Sequence, residues 1–244
     1  METSENDYSP LLEDKEEDNN FSEDSITRKL RKGFIAKVFG IVLYQIIIVF
    51  LVCLLGFFNS TFRRWLLTST LDLILSVIIS FSCLLLPICF PILYMKVPTN
   101  YILLTIFTLS DGWIVAAFTV QYTATSVLTA LFLTIVMVSC ITIYAFKTKT
   151  DFTVFGGVLF TALILLIVCG IILIFIRIRI LYLIYIYGGL ILFCLYLLYD
   201  VQLLIGKGEN KFDDDDYILA AINIYIDIIA IFIRILAIIG TKNN

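Results

Sequence analysis

NIYIDIIAIFIRIL, residues 223–236, is apolar enough to lie in a bilayer, yet it carries Asp227 at its middle and Arg234 two turns later. A carboxylate at the centre of a spanning helix costs about 2.5–3.5 kcal/mol on insertion scales, so it needs a physical reason. At about 100° per residue, Asp216, Asn223, Asp227 and Arg234 fall within a narrow arc of one helix. That polar stripe is expected to face the interior of a bundle. Asn223 sits one turn from Asp227, where it is placed to donate a hydrogen bond. Arg234 lies about 10 Å farther along the axis, so an intrahelical pair needs its long side chain or a water.

The rest of the chain supplies the bundle. Of 244 residues, 61% are hydrophobic and only 15% charged, and the mean hydropathy is +1.02. A soluble domain of this size needs far more polar surface, so the composition reads as a polytopic membrane protein. Runs of roughly 20 apolar residues, the length that spans a bilayer, occur at 34–57, 71–94, 100–118, 124–146, 154–175, 181–204 and 217–239. The fold class is therefore an all-α polytopic membrane protein with seven transmembrane helices over 31–240. Six spans with a re-entrant last segment is the alternative. QYTATS (121–126) is the weakest of the breaks.

Acid and base are segregated. Residues 1–30 begin as a strongly acidic tail, expected to be disordered, and SITRKLRKGFIAK (25–37) follows with five basic side chains. The tail contains DYSPLL, in which Asp7, Leu11 and Leu12 have the form of an acidic dileucine sorting signal. A plain disordered tail is the competing reading. No apolar h-region precedes the first span, which is expected to act as an uncleaved signal anchor. Placing the N-terminus in the cytosol puts Arg28, Lys29, Arg31, Lys32, Lys37, Lys96, Lys147, Lys149, Lys207 and Lys211 on the cytosolic side. Arg63, Arg64, Arg177, Arg179 and Lys242 lie opposite, so the basic excess favours this orientation. Asn59-Ser60-Thr61 matches a glycosylation sequon, but it adjoins the first span, where enzyme access is poor.

Histidine is absent, which excludes His-based catalysis and His-ligated zinc. The six cysteines all lie inside apolar runs and read as small hydrophobes. The informative residues are carboxylates. Asp111 stands in IFTLSDGW (106–113) and Asp200 in LLYDVQLLIG (197–206), about one turn from the end of the sixth run. The connection to the last run is short, so the sixth and seventh helices are expected to be antiparallel neighbours with Asp200 approaching Asp227. Two carboxyls in one partly desolvated site do not both ionise cheaply, so the pair is expected to share a proton. Such a pair can sense pH, hold a calcium ion transiently through oxygen ligands, or do acid–base chemistry. A buried polar contact that only fixes helix packing is the bland reading. Asp213, Asp214, Asp215 and Asp216 in KGENKFDDDDY (207–217) stand at the mouth of such a path, where they concentrate cations. Asp72, at the start of the second run, reads as interfacial.

Five segments in order, GFIAKVFGIVLYQ (33–45), VPTNYILLTIFTLSDG (97–112), IYAFKTKTDFTVFGG (143–157), YDVQLLIG (199–206) and DDYILAAINIYIDIIAIFIRIL (215–236), resemble the transmembrane Bax inhibitor-1 motif family. The acidic tail and DDYILAAI look most like its lifeguard and Golgi anti-apoptotic protein branch. The resemblance implies a seven-helix bundle, a pH-sensitive calcium leak from intracellular stores and suppression of cell death. Its paired aspartates correspond to Asp200 and Asp227. Asp215 corresponds to an acidic position implicated in ion passage, and Asp111 to a third-helix acid that is usually Glu. Two departures stand out. Some members carry an Arg in the second helix as partner to the aspartates, whereas 71–94 has neither Arg nor Lys, and Arg234 is not a family feature. Arg234 either supplies a counter-charge from another direction or snorkels to the far interface.

No cofactor is implied, calcium being the permeant ion, and the expected partners are membrane lipids, calcium and cell-death regulatory membrane proteins. Nucleic acid is not among them, and the oligomeric state stays open. An intramembrane aspartyl protease needs GxGD where this chain has Ile224-Tyr225-Ile226-Asp227, and a retinal protein needs a Lys in the last span. An enzyme is therefore not expected. The live alternative to a Golgi or endoplasmic-reticulum calcium leak is a non-conducting regulator acting through protein partners. An endo-lysosomal location is the other option.

Overall fold

In a computed structural model of the chain, residues 9–90, 92–176, 178–206, 212 and 216–243 are described, with side chains from residue 29 onward except Ile88. Among them the elements are α1 (Ser9–Phe58), α2 (Ser60–Thr68), α3 (Thr70–Cys89), α4 (Ile92–Met95), α5 (Thr99–Thr119), α6 (Ala124–Lys147), a 3₁₀ turn (Thr153–Phe155), α7 (Gly156–Phe175), α8 (Arg179–Ile205) and α9 (Tyr217–Ile239). Hydrocarbon offers no partner for a backbone N–H or C=O, so an apolar chain crosses it as helices that satisfy themselves. Seven stretches are long and apolar enough to do so: Lys29–Phe58, Thr70–Pro87, Thr99–Thr119, Ala124–Lys147, Thr153–Phe175, Arg179–Ile205 and Tyr217–Ile239. The protein is an all-α, polytopic membrane bundle. Among the described residues helical backbone runs from Ser9, inside the 1–30 segment drawn from composition.

The last span is the core. α9 packs against α8, α1, α6 and α5, while α3 leans on α5 and α7 on α8. Ala220 and Ala221 let neighbouring helices close on it, and Ile218, Ile224, Tyr225, Ile231 and Leu236 are wholly enclosed. Its first turn is tied to two other spans. The Asn100 amide donates to the Tyr217 hydroxyl at 2.8 Å, and the Lys37 ammonium lies 3.1 Å from the centre of the Tyr217 ring.

A short helix absent from the sequence reading, α2, turns the chain between the first two spans. Asn59 caps it, its side-chain oxygen accepting from the N–H groups of Thr61 and Phe62 at 3.0 and 3.1 Å. The sequon asparagine is thus engaged in a helix cap. At the end of α8, Gly206 takes φ +79°, the left-handed conformation that favours glycine at a helix C-terminus. Arg31 reaches across from α1 to the same place, donating to the Leu203 carbonyl at 2.8 Å and to that of Phe212 at 2.9 Å.

Gln202 ties the fourth–fifth connection to α8. Its amide donates to the Thr150 carbonyl at 2.9 Å and its oxygen accepts from the Phe152 N–H at 2.7 Å. Gln202→Leu leaves both backbone groups without this partner and is expected to destabilise the fold by about 2 kcal/mol. A thermal midpoint in detergent equal to wild type contradicts that.

Candidate functional site

α8 and α9 run side by side, and their shared face holds the acidic residues. Asp200, five residues from the end of α8, is 5% exposed, and Asp227, at the middle of α9, is 3% exposed. Their carboxyl groups are close enough to influence one another electrostatically. Among the described residues no Lys or Arg stands against either, and Asp227 Oδ2 is buried without a hydrogen-bond partner. Two carboxylates are both acceptors. They touch favourably only when a proton or a cation lies between them.

The predicted polar stripe is narrower than 100° spacing alone suggests. Asn223 is exposed and makes no hydrogen bond to Asp227 among the described contacts. It lies about 40° around α9 from Asp227, on the side away from the buried arc of Ala220, Ile224 and Ile231. Asp216 stands at the N-cap position of α9 and makes no side-chain cap bond. Asp7, Asp213, Asp214 and Asp215 lie outside the described residues, as do the side chains of Leu11 and Leu12.

Asp111 is not brought to the pair. It accepts a 2.5 Å hydrogen bond from the Tyr225 hydroxyl, and that ring stands edge-on to Phe107 with centroids 5.8 Å apart. Tyr225 precedes Asp227 by two positions, so it projects to nearly the opposite side of α9. One helix therefore carries two separate acidic contacts, toward α8 through Asp227 and toward α5 through Tyr225. Removing the phenol in Tyr225→Phe is expected to cost about 2 kcal/mol, the worth of a hydrogen bond to an acidic group. A double-mutant cycle with Asp111→Asn measures it, and a coupling near zero contradicts it.

Arg234 does not snorkel. It is 8% exposed, its guanidinium 4.4 Å from the centre of the Phe193 ring and 5.6 Å from that of Tyr185. Nη1 donates to the Ala230 carbonyl at 3.2 Å, and Nε is buried with no partner. Gly189 on α8 makes room for it, because a Cβ there would stand 2.2 Å from Nε. No carboxylate pairs with it among the described residues, so it is not the counter-ion of the aspartates. The sequence reading missed Tyr225, Gly189 and Gln202. The Gly188-Gly189 pair inside an apolar span was the available sign of a close interhelical approach.

Among the described residues no three metal-ligating side chains gather, and all six cysteines are free. A divalent cation at the pair would draw on two carboxylates and complete its shell with water.

Compared with known proteins, residues 31–244 match the family described as "Inhibitor of apoptosis-promoting Bax1". The chain is 32% identical over 220 residues to Protein lifeguard 3 of Mus musculus, covering 88% of this chain and 71% of that protein. The Homo sapiens protein of the same name gives the same values. A BI1-like protein of Arabidopsis thaliana is 35% identical over 221 residues, covering 88% of this chain and 83% of its own.

Proposed function

We propose that this chain, which belongs to the Bax inhibitor-1 family, is a proton-sensitive calcium leak of an intracellular membrane that restrains cell death. Asp200 and Asp227 form its cation-binding centre. One observation carries the reading: two enclosed carboxyls from different spans lie within electrostatic reach of each other, and among the described residues no basic side chain is set against them. Proton and calcium then compete for the same oxygens, which couples ion occupancy to pH. A site with only two protein carboxylates binds calcium weakly, as a leak requires and a storage site does not. The Asp213–Asp216 run gathers cations at the cytosolic mouth, and Asp111 serves a second step toward α5. The restraint of cell death follows the family description. The basic excess supports a cytosolic N-terminus, and a Golgi or endoplasmic-reticulum membrane is the location this reading assigns.

A second reading, a non-conducting regulator that works through membrane partners, is favoured by Arg234. Its guanidinium lies on the α8–α9 seam, two turns beyond Asp227, where a fixed positive charge opposes cations. Purified full-length protein in liposomes loaded with a calcium dye decides between them. A calcium flux that varies with pH supports the leak. Monodisperse, folded protein that passes no calcium at any pH supports the second reading.

A further inference from the structure

α1 and α6 both pack on α9 rather than on each other, and the space left between them is a groove of about 530 Å³. Phe50 and Phe57 of α1 form one wall, Leu128 and Leu131 of α6 the other, and Ile229 and Phe232 of α9 the floor. Thr134 and Ser139 are its hydroxyl-bearing residues, and the Thr134 hydroxyl is committed to the Ala130 carbonyl at 2.7 Å. The groove extends from Phe58 to Ile46 on α1 and from Ala124 to Ser139 on α6. These are lengths of about 18 and about 22 Å, starting at the ends of two spans and reaching past the middle of a core about 30 Å thick. It opens sideways toward lipid along the exposed Ile47, Phe50, Leu128 and Ile135. A single acyl chain from one leaflet fits that length and chemistry.

The mouth is cationic. Beside Ala124, the C-terminal residues are stitched to the loop before α6: the Thr123 N–H donates to the Thr241 carbonyl at 3.0 Å, and Lys242 forms a β-bridge with Tyr122. Arg63 reaches the same loop from α2, donating to the Val120 carbonyl at 3.2 Å. Arg64 adjoins it. Asp72, the acid of this corner among the described residues, is occupied by the Trp65 indole N–H at 2.8 Å and the Ser69 hydroxyl. Trp65 and Trp113 pack edge to face, 4.7 Å between centroids, as indoles do at headgroup depth.

We propose that the groove between α1 and α6 binds one acyl chain of an anionic phospholipid whose phosphate lies against Arg63 and Lys242. Bulk lipid of any kind can fill an apolar groove, and the basic mouth makes the choice of headgroup. Native mass spectrometry of the full chain, titrated with phosphatidylglycerol or phosphatidylcholine of identical chains, tests this. Each basic residue near an anionic surface contributes about fivefold in affinity, so phosphatidylglycerol is expected to bind at least about fivefold more tightly. The charge variant Arg63→Gln/Lys242→Gln, shown to be folded by its unfolding midpoint, is expected to bring the two lipids level. Leu131→Trp, which fills the groove, is expected to weaken both. Equal binding of the two lipids to wild type overturns the proposal, as does a preference that survives the charge variant. Unchanged binding by a folded Leu131→Trp places the lipid elsewhere and overturns the groove.

Discussion

Calcium is expected to raise the unfolding midpoint of the full chain at about pH 8 and to lose that effect at about pH 6, because the ion binds only the deprotonated carboxylates. The sign follows from competition: affinity is present at high pH and falls as protons take the same oxygens. A ligand at a hundredfold excess over its dissociation constant adds about 2.7 kcal/mol to the folded state. Each proton displaced per ion moves the apparent constant about tenfold per pH unit. Asp200 and Asp227 supply the protein donors, so Asp227→Asn and Asp200→Asn are each expected to abolish the calcium shift. A shift of equal size at both pH values, or one that survives in the double variant, contradicts the site. Any contribution from the acidic run Asp213–Asp216 would be screened by salt, so repeating the titration at high ionic strength separates it.

The second large effect concerns Gly189. Its Cα faces the Arg234 side chain so closely that a Cβ would lie 2.2 Å from Nε and 3.0 Å from Cζ. Gly189→Val therefore expels the guanidinium from its seat against Phe193 and Tyr185. Overpacking costs about 1–3 kcal/mol. A loss of that size is expected in the detergent unfolding midpoint. Adding Arg234→Ala to Gly189→Val is expected to recover about 1–3 kcal/mol, since the two residues touch and do not act additively. Additive losses would show that the valine is rejected by something other than Arg234.

Most of the architecture is legible because hydrocarbon leaves few choices. Among the described residues the seven apolar runs become seven helices long and apolar enough to span, and the family motifs mark which bundle they form. The fold's surprises sit where a local pattern meets a distant element. The stripe from Asp216 to Arg234 is real as a spacing, but burial is decided by which neighbours α9 meets, and they leave Asn223 outside. Arg234 looks like a residue in search of an acid. Its seat is instead a glycine notch and two aromatic rings on α8, and nothing within the last span announces them. Asp111 was readable as a costly carboxylate, whereas its partner Tyr225 was hidden among the aromatic side chains of an apolar helix. The short connection between the last two spans, by contrast, makes α8 and α9 antiparallel neighbours. Asp200 and Asp227 are both buried on these two packed helices.

In the proposed leak, Asp200 and Asp227 make cation passage depend on pH. Calcium flux into dye-loaded liposomes, followed across pH for wild type, Asp200→Asn and Asp227→Asn, tests it most directly. The account predicts a flux that changes with pH in wild type and a pH response lost in both variants. Identical, pH-independent fluxes in all three proteins would contradict it.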